Sequence, residues 1–315
     1  MANILLFLGA VVSAANSEGN CVSGKMPFIK ERVYVGAPPI GGVNPSKYDF
    51  IIDYGFTEGP DINVEFTSTG VDLHLVRDPK GGVATGARIS TTRTFKYAKL
   101  AAKFSAIDTA GAITTFITMS DVKDELDVEI VGNDKNNFQS NVFYRGIEER
   151  GVHGGTHPVS GVGSAHEYII DWKPSQVDWS VDGKQSRTYK NDENAKSPRT
   201  PAGERWYPNT ASKVQISVWD FGGGVWGGGP IPWGSKNRLS ASYEYIEVSC
   251  YNENGIPVPR WPLDATDISF NETVTSTTVA PTPRQTYAAS AASAAYPMVR
   301  HVVVLITGLV FAIGY

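Results

Sequence analysis

Cysteine is nearly absent from this chain, with two in 315 residues. That excludes a small scaffold stapled by many disulfides. Charge of one sign is not in excess either. Lys and Arg total 28 against 32 Asp and Glu, a formal net charge of -4, and no Lys/Arg run occurs. The electrostatic footprint of a nucleic-acid binder is therefore missing. No long stretch repeats apolar residues at helical spacing. No Gly-x-Ser-x-Gly elbow occurs, which argues against that type of serine hydrolase. Gly222–Gly224 and Gly227–Gly229 are not followed by Gly-Lys-Ser/Thr, so they do not read as a phosphate loop. His74, His153, His157 and His166 lack close ligand spacing, so neither a metal nor another cofactor is expected. Gly151-Val-His153-Gly-Gly-Thr-His157 reads instead as a polar loop on the substrate side.

Both ends read as processing signals. An apolar run from Ile4 to Val12 leads to small residues at Ala14 and Ala15. Residues 1–15 are the expected secretory signal peptide, with a buried strand as the alternative. Val302 to Ile313 is also apolar, but shorter than the ~20 residues of a comfortable span. Small residues at 288–295 and a short polar spacer precede it. This is the layout of a lipid-anchor (GPI) signal, with attachment expected at Ser290 and residues 291–315 removed. A tail-anchored helix is the alternative. Residues 263–290 are rich in Ser, Thr, Pro and Ala, a composition that builds a glycosylated stalk rather than a core. Asn271-Glu-Thr273 is an N-glycosylation sequon at its base. Together these features predict a secreted protein on the cell surface, held to the plasma membrane by its anchor or passed to a wall.

Residues 20–262 remain as the folded body. Val71, Leu73 and Leu75 alternate with polar residues, and Ala112–Met119 and Glu167–Trp172 are rich in β-formers. Val177–Val181 runs into Asp182-Gly183, a hairpin turn signal. The expected class is all-β, a sandwich of two antiparallel sheets. Cys21 opens the body and Cys250 sits in its last strand-like run. In an oxidising compartment two lone cysteines usually pair. Two free buried thiols are the alternative.

The chemistry lies in Glu125-Leu-Asp127-Val-Glu129. On a strand, alternate residues share a face. Three acids then point one way while Leu126, Val128 and Ile130 pack the other. Like charges in such a row raise one another's pKa, and stability does not ask for them. A solvated acidic face is the bland reading. The functional reading is a carboxylate pair for retaining glycoside cleavage, with Asp127 hydrogen-bonding the nucleophile. The outer two Cα atoms would stand about 13 Å apart on a straight strand, a gap their side chains must close.

This run resembles the Glu-x-Asp-x-Glu signature of glycoside hydrolase family 16. Asp124 to Gly132, Phe138-Gln139-Ser-Asn141, His166 to Trp172 and Trp179 to Gly183 resemble its fungal Crh-type cell-wall transglycosylases. The resemblance covers roughly Tyr48 to Tyr251. It implies a concanavalin-like β-jelly roll. It implies Glu125 as nucleophile, Asp127 as its assistant and Glu129 as acid/base. Substrate contacts are implied for Glu129, Gln139, Gln215, Trp219 and Trp233. A core position is the alternative for Trp219. Pro230 stands where that pattern carries Thr. The implied activity is transfer of chitin chains to β-glucan by a monomer. A purely hydrolytic endo-β-glucanase and a non-catalytic glycan-binding wall protein stay open.

Overall fold

The computed structural model describes residues 19–262, apart from 40–41, 56–61, 148 and 150. The expected signal peptide, stalk, sequon Asn271, anchor residue Ser290 and tail lie outside the described residues.

Apart from a 3-10 turn at Lys30–Arg32, the regular elements described are strands. The first seven are β1 (Cys21–Val22), β2 (Gly24–Pro27), β3 (Val33–Val35), β4 (Phe50–Tyr54), β5 (Val64–Phe66), β6 (Val71–Val76) and β7 (Ala87–Thr91). Next come β8 (Ala98–Ser105), β9 (Ala112–Ser120), β10 (Glu125–Val131), β11 (Asn137–Phe143), β12 (Gly155–Pro158) and β13 (His166–Trp172). The last are β14 (Gln176–Val181), β15 (Lys184–Lys190), β16 (Ser212–Asp220), β17 (Arg238–Tyr251), β18 (Pro257–Val258) and β19 (Arg260–Trp261).

They build two large sheets. One has eight strands in the order β12-β11-β10-β9-β16-β7-β4-β3, antiparallel except for the β3–β4 pair. The other runs β15-β14-β13-β8-β17-β6-β5, with β2 and β18 also on β17. Alternation explains why they face each other. Leu126, Val128 and Ile130 of β10 and Val214, Ile216 and Val218 of β16 are fully buried. Tyr168, Ile170 and Trp172 of β13 are buried in the same core. Sequence-distant strands become neighbours, as β9 between β10 and β16 shows, so the order is set by core packing rather than by local turns.

Local signals act as expected in places. Asp182 and Gly183 both take positive φ (49° and 75°), the left-handed pair that a tight two-residue hairpin needs between β14 and β15. Cys21 and Cys250 are bonded, with Cα atoms 5.9 Å apart and both residues buried.

Three tryptophans lie wholly inside, and each indole N–H finds a carbonyl. Trp172 donates to Pro208 O at 3.2 Å, Trp206 to Val142 O at 2.9 Å and Trp179 to Asp127 O at 2.9 Å. The last bond crosses from the second sheet to the centre of β10. A buried indole without an acceptor would be costly, so these bonds fix where the sheets meet.

The 151–157 segment differs from the expected substrate-side loop. His153 is buried and stacks on Trp206 with centroids 4.6 Å apart, while Tyr189 Oη lies 3.0 Å from its Nδ1. The His157 Nε2 lies 2.7 Å from Ser140 Oγ, on the core side of β11. Both histidines are packing residues. Flanking glycines signal a loop but not the face towards which it folds.

Candidate active site

β10 sits third in the eight-stranded sheet, flanked by β9 and β11. Its polar residues point away from the core, because cross-strand partners share a face. Glu125 lies between Met119 and Phe143, Asp127 between Ile117 and Asn141, and Glu129 between Thr115 and Gln139. The rows continue onto β16 and β7. Asp127's row includes Gln215 and Ser90, and Glu129's row includes Ser217 and Arg88. The three acids, Gln139 and Gln215 therefore share one face.

The entry to β10 is held by Asp124, which the sequence reading passed over. Asp124 is 0% exposed. Its carboxylate accepts from Arg145 N and Asn209 N, both at 3.0 Å, and from Thr210 Oγ1 at 2.7 Å. Its own N–H donates to Ser120 Oγ at 2.9 Å. One buried carboxylate thus binds three segments beside Glu125. Its position next to the acid row was visible in the sequence, but its partners were not.

Within the row, each acid has a different environment. Asp127 is 1% exposed, and no donor among the described residues reaches either carboxyl oxygen. Burial first, then the charges of Glu125 and Glu129, push its pKa well up. Burial thus favours the neutral form of Asp127, whose O–H can donate to the neighbouring Glu125 carboxylate. Glu125 and Glu129 are half-buried. Burial raises Glu125 to about 7, opposed by the hydrogen bond from Asp127 and by the charge of Lys123. Burial raises Glu129 further, to about 8, with the Glu125 charge adding to it. The row titrates as a unit, and Glu125, with a hydrogen bond and the Lys123 charge opposing its desolvation, is the acid that ionises most readily. One group is ready to attack and one ready to donate.

Aromatic rings close one end of this face. Trp219 projects to the same side as Gln215 and Ser217, while its neighbour Val218 is in the core. Phe221 and Trp226 follow on the glycine-rich loop. Trp219 and Trp226 centroids are 6.2 Å apart, and Phe221 meets Trp226 edge-on at 5.0 Å. The loop is tied to the start of β9 by Gly111 N to Gly227 O at 2.6 Å and Phe221 N to Gly111 O at 3.0 Å. This close approach needs glycine. A Cβ on Gly111 would lie 2.9 Å from Gly229 O, and one on Gly228 would lie 2.5 Å from Asn133 Cβ. Beneath the loop end, Ile113 and Val131 are buried although they face outward. Trp226 donates from Nε1 to Gln139 Oε1 at 3.0 Å.

Trp226 was not picked out by residue from the sequence, although a Trp within a glycine-rich loop was a usable signal. Trp233 lies beside a neighbouring pocket. It packs on the core edge and lines an open pocket of about 610 Å3 with Asp108, Lys135 and Lys236, which none of the three acids lines.

Comparison with known proteins bears on the family and the fold. The model of Glycosyl hydrolases family 16 matches residues 53–238. Crh-like protein 2 of Aspergillus fumigatus is 37% identical over 193 residues, covering 56% of this chain and 42% of that protein. Congo red hypersensitive protein 2 of Saccharomyces cerevisiae is 32% identical over 181 residues, covering 53% of this chain and 38% of that protein. The chain thus spans about two-fifths of the length of these curated relatives. Among solved structures, a Crh5 transglycosylase in complex with NAG superposes with a TM-score of 0.57 at 21% identity, covering 76% of this chain and 88% of that one. A Bacillus licheniformis β-glucanase gives 0.54 at 21% identity, with coverages of 72% and 98%. Those two likenesses bear on the fold alone, a jelly-roll sandwich. The matched span contains all of β10 and the sheet face around it, and on that ground the chain belongs to glycoside hydrolase family 16.

Proposed function

We propose that this protein is a retaining transglycosylase of fungal cell-wall polysaccharide. It acts on chitin chains as donors and β-glucan as acceptor, through a glycosyl-enzyme intermediate. The observation that carries the reading is geometric: Glu125, Asp127 and Glu129 project from one face of β10, where burial raises the pKa of each.

In the first step a Glu125 oxygen attacks the anomeric carbon. The glycosidic C–O bond breaks as Glu129 gives its proton to the leaving oxygen. In the second step an acceptor hydroxyl gives its proton to Glu129. Its oxygen bonds to the anomeric carbon and displaces Glu125. Asp127 steadies the Glu125 anion by donating to it. Gln139, Gln215 and Trp219 line the face on which the glycan would lie, and an aromatic ring suits the apolar face of a pyranose. Trp233 would meet the glycan from the neighbouring pocket, whose lining includes Gly132 and Asn133 just beyond β10.

The similarity to Crh-type proteins supports the choice of donor and acceptor. The ends of the sequence support a setting outside the cell, with a lipid anchor at Ser290, a glycan on Asn271 and the membrane as partner. A monomer is the working state.

The test is direct. Glu125→Gln should lower transfer of a chitin oligosaccharide to a labelled β-1,3-gluco-oligosaccharide by at least about 10³-fold with the fold intact. Glu129→Ala should cripple that reaction yet retain cleavage of an activated aryl glycoside, whose leaving group needs little protonation. Full transfer by Glu125→Gln would remove the nucleophile assignment. Products formed only with water would make the protein a hydrolase rather than a transferase.

A further inference from the structure

We propose that Trp226 is a positioning residue of the acceptor side, holding Gln139 beside Glu129 and walling off water there, so that it selects sugar over water as the group that ends the reaction. The inference rests on the glycosyl transfer proposed above.

The argument starts from register. Gln139 is directly opposite Glu129 on β11, so the side chains stand side by side on one face. The Gln139 Oε1 accepts the Trp226 indole N–H at 3.0 Å, and its side chain makes no other hydrogen bond among the described residues. With its oxygen engaged, the amide is fixed about its last torsion. Its N–H pair is thereby left to face whatever enters beside Glu129.

The acid/base decides which group enters there. The acceptor hydroxyl gives its proton to Glu129 in the second step, so its oxygen must approach from Glu129's side. The ring of Trp226 is held by Trp219 of β16 at 6.2 Å and Phe221 at 5.0 Å, and the loop carrying Phe221 and Trp226 is fastened to Gly111. Its neighbour Val225 is 96% exposed, so the loop presents apolar surface outward at this end of the face. A rigid indole there offers a stacking plane to a sugar and no hydrogen bond to spare for a water. Water gains nothing from stacking, whereas a pyranose does. The wall therefore favours transfer over hydrolysis.

The test uses the full chain, a chitin oligosaccharide donor and a labelled β-1,3-gluco-oligosaccharide acceptor. Transfer and hydrolysis products are measured together. Their ratio is a property of the folded fraction alone, so partial misfolding does not distort it. Trp226→Ala should lower the transfer-to-hydrolysis ratio about three- to tenfold, the size of one lost aromatic contact. It should also raise the acceptor KM. Trp226→Phe keeps a ring and loses the N–H, and should fall between. A ratio in Trp226→Ala within twofold of wild type, with wild type transferring normally, would overturn this inference and leave the proposed function standing. A wild-type protein that consumes no donor would overturn both.

Discussion

Removing the Asp127 proton donor while leaving everything else in place should move the acid limb of the pH–rate profile. Asp127 is 1% exposed and no donor among the described residues reaches its carboxyl oxygens, so burial favours its neutral form, which can donate to Glu125. A hydrogen bond to a charged group is worth about 1.5–3 kcal/mol. Each pKa unit corresponds to about 1.4 kcal/mol. Asp127→Ala should therefore raise the Glu125 pKa by about one to two units. The sign follows from which form the bond favours. It stabilises the Glu125 anion, so losing it raises the pKa and carries the acid limb to higher pH. Activity should fall most on the acid side, and because Glu129 loses its proton at about pH 8 the profile should narrow and its maximum drop. Asp127→Asn is the control, because its amide N–H can donate to Glu125 as the carboxyl O–H does. Its acid limb should stay within about half a unit of wild type. The assay is log kcat/KM against pH for cleavage of an oligosaccharide donor. Equal displacement in the Ala and Asn variants, or none in either, would refute the claim that Asp127 works as a neutral donor.

Two further outcomes concern stability. Asp124→Ala leaves two backbone N–H groups and a hydroxyl without their buried acceptor, and should lower stability by about 2–4 kcal/mol in urea titration. A loss below about 1 kcal/mol would show that water replaces the carboxylate there. Replacing Cys21 and Cys250 together by Ser opens a bond that spans 229 residues, and should cost about 5 kcal/mol in the chain-entropy view. A thermal midpoint unchanged from that of the oxidised protein would count against that account.

Much of the fold could be read from local pattern. Alternation in Glu125–Val131, Glu167–Trp172 and Val177–Val181 marks strands whose inner residues are all buried, and Asp182-Gly183 marks its hairpin. The acid row was legible for the same reason, since strand period alone puts Glu125, Asp127 and Glu129 together. Non-local choices were not legible. Nothing in the sequence places β9 between β10 and β16, so Gln215 and Ser217 reach the acids only through pairing across about a hundred residues. The face of the 151–157 loop depends on Trp206 and Ser140, distant residues that turn both histidines inward. Trp226 and Trp233 look alike in sequence, each among glycines and prolines. The hydrogen bond to Gln139 and the tie to Gly111 separate them.

The indole of Trp179 holds the Asp127 carbonyl from behind, out of the other layer of the sandwich. The middle acid therefore has its backbone pinned by one sheet and its carboxyl turned to the reacting side of the other. Variation at the rims, in the aromatic loop or on the outermost strands, can alter which sugars are admitted while this through-core anchor keeps the reacting groups in place. The layer behind the acid row thus supplies the fixed reference on which new specificities can be built.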